Sequence, residues 1–248
     1  RAPLLKKFPQ MSVMDTSRTS ERRVPGEKTT GTQGGFYARR GKRFFDAVLA
    51  LSALVVLAVP MLLIAACIAV TDGRPVLFCQ ERVGRRGTRF KIVKFRTMTQ
   101  RREIGSTITV RGDSRVTSIG RWLRRFKLDE LPQLWNVLNG NMSFVGPRPD
   151  VPGYMDRLQG DAARLLELRP GITGPASVAF RDEESILARA EDPRRYNDEV
   201  VFPQKVAINL EYMRKLSLGL DLYWILRTIV PPSGGPESPV YKSASQNT

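Results

Sequence analysis

The order of apolar and polar positions divides the chain into four parts. Residues 1–38 are polar, rich in Ser, Thr, Gly and basic side chains, with no sustained apolar period; this is the pattern of a disordered basic tail. Phe44 to Val70 is almost pure hydrocarbon, FFDAVLALSALVVLAVPMLLIAACIAV, with Asp46 its only charge. From residue 73 to 232 the pattern is mixed and reads as one globular domain. Residues 233–248 read as a second tail.

The apolar run exceeds the roughly 20 residues that span a bilayer, so a transmembrane helix is the first expectation. It starts well inside the chain and no small-residue cleavage site follows, so it does not read as a signal peptide. Two features point elsewhere. Pro60 sits near the middle, where it removes a backbone hydrogen bond. Both flanks are basic, with Arg39, Arg40, Lys42 and Arg43 before and Arg74, Arg82, Arg85, Arg86 and Arg89 after, and both ends therefore favour the cytoplasmic side. Residues 39–72 fit a spanning helix or a re-entrant helix-break-helix interrupted at Val59-Pro60, and these residues alone leave both open.

In the mixed part, Pro75–Phe78 reads as a short strand and Phe90–Arg96 as a second, with a turn around Gly84 and Gly87. The second strand has Phe90, Ile92 and Val93 as its apolar set, and Lys94 and Arg96 share a face. Residues 100–114 form a polar loop. Ile119, Trp122, Leu123 and Phe126 fall at helical spacing, with Arg121, Arg124 and Arg125 opposite. Leu131, Leu134, Trp135 and Leu138 repeat the spacing, and Asn139-Gly140-Asn141 ends that helix. Pro132 suits only a first turn, which puts Asp129 at the N-cap and Glu130 in the opening turn. Pro170–Pro175 reads as a tight turn and Arg181–Arg195 as charged helix and loop. Val206–Tyr212 and Leu216–Val230 are amphipathic, and Leu222, Tyr223, Trp224 and Ile225 are placed to graze a membrane surface. The fold class is α/β, mostly helical with a small sheet.

Charge narrows the partners. The 248 residues hold 40 Lys and Arg against 24 Asp and Glu, a net charge of +16, which favours nucleic acid, acidic lipid headgroups or phosphorylated metabolites. Few aromatics interleave with the basic runs, so nucleic acid is not expected. The chain has no histidine. That excludes Ser-His-Asp and Cys-His catalysis and histidine-bound zinc. Cys67 lies within the apolar run and does not read as half of a disulfide with Cys79; a reducing setting is the simpler reading.

The candidate chemistry gathers between Lys127 and Pro149. Asp129 and Glu130 have an ordinary reading as helix-start acids. They also have a chemical one, since a carboxylate can attack phosphorus to give an acyl phosphate. Two carboxylates repel a polyanion, so that chemistry requires Mg²⁺ or Mn²⁺ and basic neighbours. Arg124 and Arg125 precede the pair. Arg148 follows it, its backbone fixed by Pro147 and Pro149. Lys94 and Arg96 supply a second basic pair.

KFRTM (94–98), GRWLRRFKLDELPQLWNVLNGNMSFVGPRP (120–149) and RPGITG (169–174) follow, in that order, an apolar segment containing proline. Over about residues 42–230 this closely resembles the bacterial sugar transferase family, the monotopic phosphoglycosyl transferases. The resemblance implies transfer of a sugar 1-phosphate from a UDP-sugar to polyprenol (undecaprenyl) phosphate, with release of UMP and with Mg²⁺ as cofactor. It implies a re-entrant membrane helix and a catalytic domain over residues 73–232 at the cytoplasmic face of the bacterial inner membrane. Such proteins begin exopolysaccharide, capsule, O-antigen or glycan synthesis, so downstream glycosyltransferases are expected partners. By resemblance Asp129 is the nucleophile and Glu130 its metal or proton partner, both holding the metal. Lys94, Arg96, Arg124 and the Pro147-Arg148-Pro149 motif bind substrate. Three positions depart from the family pattern: Val59 stands where serine often precedes the proline, Pro175-Ala176-Ser177 where Leu-Ala-Gln often follows GITG, and Asn209 where aspartate is common. The alternative is a non-catalytic, membrane-tethered protein that binds anionic lipid or nucleic acid, with Asp129 and Glu130 as caps.

Overall fold

The whole apolar run forms one 30-residue helix, α1 (Lys42–Thr71), in the computed structural model, which describes Tyr37, residues 41–99 and residues 113–230. The expected tails, Tyr37 apart, and loop residues 100–112 lie outside the described residues. The break expected at Val59-Pro60 is not seen: helical conformation continues through both residues. Pro60 withdraws only its own N–H, and one missing bond bends a helix more readily than it ends one. Among the described residues α1 is long and apolar enough to cross a membrane.

One face of α1 lies on the domain. Asp46 and Ala50 are buried at its start and Ile68 near its end. Arg43 donates to the carbonyls of Val137 and Leu138, each at 2.6 Å. The lone charge of the apolar run is accounted for, since Asp46 accepts the backbone N–H of Phe144 at 3.2 Å. Lys42, Tyr37 and Tyr212 all donate to the buried carboxylate of Asp221. At the other end Met61, Ile64, Ala65 and Ile68 pack with Phe95 and Leu123. The opposite face, including Val55, Val56, Val59 and Leu62, is exposed.

Among the described residues the strands form two two-stranded sheets. β1 (Leu77–Val83) pairs antiparallel with β2 (Arg89–Phe95), with Leu77 opposite Phe95. The first strand thus begins two residues later than expected and runs longer. Phe90 and Ile92 are buried and Lys94 continues their side of β2. Arg96 lies beyond the strand and does not act with Lys94. Its guanidinium donates to the carbonyls of Asp72 and Gly73 at 2.5 and 2.6 Å, closing the C-terminal end of α1.

α2 (Ser118–Arg125) is capped by Thr117, whose hydroxyl accepts from the Gly120 N–H at 3.0 Å. Leu123 and Ile119 pack inward. Trp122 and Phe126, expected on the same face, are exposed. The helix ends at Arg125, so Phe126 no longer follows its phase. A 3₁₀ turn, Leu128–Glu130, and Pro132 precede α3 (Gln133–Leu138). Asp129 is therefore no N-cap: that place belongs to Pro132, and Asp129 caps nothing. Because helix begins only at Gln133, the inward residues are Gln133, Leu134, Asn136 and Val137, and Trp135 points outward. Asn139 and Gly140 (φ +83°) end α3 as expected.

The expected turn at residues 170–175 is instead a strand, β4 (Gly171–Thr173), parallel to β3 (Ser143–Val145). The two approach backbone to backbone. A Cβ on Gly171 would stand 2.2 Å from the Gly146 nitrogen, and one on Gly174 2.3 Å from the Gly146 oxygen. Beyond them come α4 (Pro175–Ala179), α5 (Glu183–Leu187), α6 (Pro193–Tyr196), α7 (Phe202–Lys215) and α8 (Leu218–Ile229). Trp224 of α8, expected at a membrane surface, is buried against Val145 and Tyr212, while Leu218, Leu222, Leu226 and Ile229 form the outer stripe.

Candidate active site

Asp129 and Glu130 are held in a place their own short turn does not dictate. Lys127 enters that turn in the left-handed region (φ 57°), and α3 follows it. Asn136 of α3 then bonds to the edge of β2. Its amide donates to the Lys91 carbonyl at 2.8 Å and accepts the Val93 N–H at 3.0 Å. The side-chain amide replaces a neighbouring strand and fixes Lys94 relative to the acids. Lys94 Nζ donates to Glu130 Oε1 at 3.2 Å. Arg148 Nη2 reaches the same oxygen at 2.9 Å from the exposed rim.

The placing of Arg148 explains why two separate motifs occur together. VGPRP follows β3 and RPGITG contains β4. Gly146 donates to Thr173 O at 2.9 Å, and Gly171 donates to Pro147 O at 2.8 Å. Arg82 of β1 donates to Pro149 O at 3.3 Å, and Val83 donates to Asp150 O at 3.0 Å. Pro147 and Pro149 are buried and strapped on both sides, so Arg148 is the exposed member of the three.

Lys94, Asp129, Glu130 and Arg148 line one cleft of about 2290 Å³, together with Arg124, Asp150, Glu183, Lys205 and Asn209. Arg124 does not contact the acid pair; it stands 3.5 Å from Glu184 and contacts the sulfur of Met98. Its charge still lowers the Asp129 carboxyl. Arg96 lines the cleft with its guanidinium committed to α1.

The two acids differ in state. Burial, followed by the neighbouring charge of Glu130, raises the Asp129 carboxyl against the pull of Lys94, Lys127 and Arg124. Burial alone would raise Glu130 as well, but Arg148, Lys94 and Lys127 overcome it and hold that carboxyl well below the usual range. Glu130 is thus a permanent anion committed to two cations. Asp129 keeps one buried oxygen, Oδ1, with no hydrogen-bond partner. An unpaired buried carboxylate oxygen is costly unless a proton, a cation or a substrate satisfies it.

Among the described residues no three His, Cys, Asp or Glu side chains stand close enough to hold a metal by themselves. Mg²⁺ does not require such a set; one or two carboxylates with substrate phosphates and water suffice. The free oxygen of Asp129 beside Glu130 fits that requirement.

Asp150 was not among the residues singled out from sequence. Burial pushes its carboxyl up to about 6 despite Lys205, Arg82 and Arg148. Its signal was its place directly after Pro149. Asn136 gave none, because its function depends on β2 lying alongside α3.

Fold and site together define a class: an α/β protein with one membrane-directed helix and a buried carboxylate pair in a basic cleft. Residues 37–232 match the family model described as bacterial sugar transferase. The chain belongs to that family. It is 39% identical over 196 residues to undecaprenyl-phosphate glucose phosphotransferase of Komagataeibacter xylinus, covering 76% of this chain and 35% of that protein. It is 38% identical over 164 residues to the UDP-galactose-lipid carrier transferase of Erwinia amylovora, covering 60% of this chain and 34% of that one. It is 41% identical over 196 residues to UDP-glucose:undecaprenyl-phosphate glucose-1-phosphate transferase of Caulobacter vibrioides, covering 76% and 68%. The chain thus spans about a third of the length of the first two relatives and about two thirds of the third.

Proposed function

We propose that this protein transfers a sugar 1-phosphate from a UDP-sugar to undecaprenyl phosphate, by way of a covalent adduct on Asp129. The observation that carries the reading is the unequal pair: Glu130 is held by Lys94 and Arg148, and Asp129 is left with a buried, unpartnered oxygen in the cleft. The names of the three relatives support the substrate classes.

In the first step a carboxylate oxygen of Asp129 attacks the sugar-bearing phosphorus, the bond to the other phosphate breaks, and UMP leaves. In the second, an oxygen of the lipid phosphate attacks the same phosphorus and the bond to Asp129 breaks, restoring the carboxylate. Lys94 and Arg148 set positive charge beside an anionic reaction centre, and Glu130 fixes both cations. Asp129 and Glu130 would hold Mg²⁺, which when bound neutralises diphosphate charge.

The site is read at the cytoplasmic face of the inner membrane, with α1 entering and leaving by that face and bending at Pro60. Support comes from the packing of both ends of α1 on the same domain, Arg43 and Asp46 at one end and Ile68 at the other. A 30-residue helix is about 45 Å long; one that spanned would carry its far end away from the domain. The product begins assembly of an exopolysaccharide or related glycan.

The test is Asp129→Asn. Incubation of the wild-type protein with UDP-glucose, UDP-galactose and their N-acetyl analogues, without lipid acceptor, is expected to give stoichiometric UMP and a mass increase equal to one phospho-sugar. Asp129→Asn should give neither while still fractionating with membranes. An adduct in the variant would remove Asp129 as nucleophile, and no UMP from any UDP-sugar would remove the enzyme reading.

A further inference from the structure

The inward stripe of α1 runs Asp46, Ala50, Ala53, Leu57, Met61, Ile64, Ile68, at steps of three and four, which keeps them on one side of the helix. Its two ends are covered. Ala50 packs with Val137 and Met142, and Met61, Ile64 and Ile68 pack with Phe95 and Leu123. Ala53 and Leu57, between them, join neither cluster. They line the catalytic cleft, in company with Lys94, Asp129 and Arg148. The membrane helix thus forms part of the cleft wall. Leu77 and Phe78 of β1 also line the cleft and are half exposed, although they are apolar.

A cleft with cations along one side and hydrocarbon along another fits an amphiphile. A nucleoside diphosphate sugar has no long hydrocarbon chain to lay along Ala53 and Leu57; the face of its base is its one sizeable apolar surface. A lipid phosphate matches both walls, and its chain has a short way to the bilayer, since the exposed Val55 and Leu62 lie on the other side of the same helix, roughly 10 Å across. Resting on the function proposed above, we propose that the window over Ala53 and Leu57, with Leu77 and Phe78 as its lip, receives the first isoprene units of the polyprenyl phosphate. The lipid then presents its phosphate to the Asp129 adduct from the α1 side, and the donor occupies the remainder of the cleft toward Asp150 and Lys205. Ala53 suits the role because a small side chain leaves the window open.

The experiment separates the two half-reactions. Exchange of labelled UMP into UDP-sugar needs only the donor, Asp129 and the cations. Transfer to undecaprenyl phosphate needs the window. Ala53→Trp and Leu57→Trp are expected to lower transfer about tenfold or more through a raised acceptor KM, with exchange within about twofold of wild type. Retained exchange also shows that the variants fold. Transfer at the wild-type rate and acceptor KM in both variants overturns the window, and so does a parallel fall in exchange. Phosphatidic acid competing as well as polyprenyl phosphate would overturn the isoprenoid assignment. Absence of exchange in the wild-type protein would instead refute the proposed function, a separate outcome.

Discussion

Asp129 and Glu130 are adjacent in sequence and opposite in electrostatic circumstance, and this makes the pH dependence diagnostic. Attack requires the ionised form of Asp129, whose carboxyl burial and Glu130 hold above the ordinary range. In the protein without Mg²⁺, whose charge would draw the carboxyl down, the acid limb of the Asp129 titration should therefore lie above the usual aspartate value of about 3.9, with the nucleophilic form lost as pH falls through it. Lys94→Met removes a charge that lowers Asp129, so the limb should move up. Glu130→Gln removes a charge that raises it, so the limb should move down. Asp150, held up to about 6, is the competing origin; a limb that vanishes in Asp150→Asn belongs to it. Movements in the reverse directions would separate the profile from Asp129 altogether.

The placing of these residues depends on elements that meet only in the fold. α3 is six residues long and is held at its side by Asn136 and at its C-terminal end by Arg43. Asn136→Ala leaves the Lys91 carbonyl and Val93 N–H without the partner they have here. The expected cost is about 1–3 kcal/mol, measurable as a lowered midpoint in denaturant, with a loss of turnover beyond the loss of folded protein as Lys94 drifts from Glu130. A midpoint unchanged from wild type would show that water replaces the amide. The sequence displayed α1 and β2 clearly, because one is an unbroken apolar run and the other alternates along most of its length. It misled at α2 and α3, where four-residue apolar patterns ran past the true helix ends and put Trp122, Phe126 and Trp135 on the wrong side. It also left RPGITG as a turn, because a three-residue strand paired through glycines carries no apolar alternation. Lys94, Asp129, Glu130 and Arg148 were legible from local chemistry. Asn136, Asp150 and the commitment of Arg96 to α1 required knowing which segments lie side by side.

For the molecule as a whole the decisive question is how α1 meets the bilayer. Basic flanks and Pro60 left two topologies open, and the packing of both helix ends on one domain favours the monotopic one. In a background carrying Cys67→Ala and Cys79→Ser, single cysteines at Gly41 and Thr71 should both react with an impermeant maleimide from the cytoplasmic side of inverted vesicles and from no other side. Reaction of the two from opposite sides would establish a spanning helix.

The glycine contact between β3 and β4 has a bearing on how such a protein varies over time. The chain that leaves at Pro147 and returns at Gly171 is closed at its neck by main-chain bonds, and a side chain at Gly146, Gly171 or Gly174 would collide with backbone. What lies between Asp150 and Arg169 is therefore a closed excursion. Doubling such a loop costs only about 0.6 kcal/mol in closure entropy. Met155 and Leu165 tie the excursion into the core, so insertions at its exposed residues 159–161 leave the neck and the adjacent guanidinium where they are at little cost, whereas a single added methyl at the neck has no such freedom.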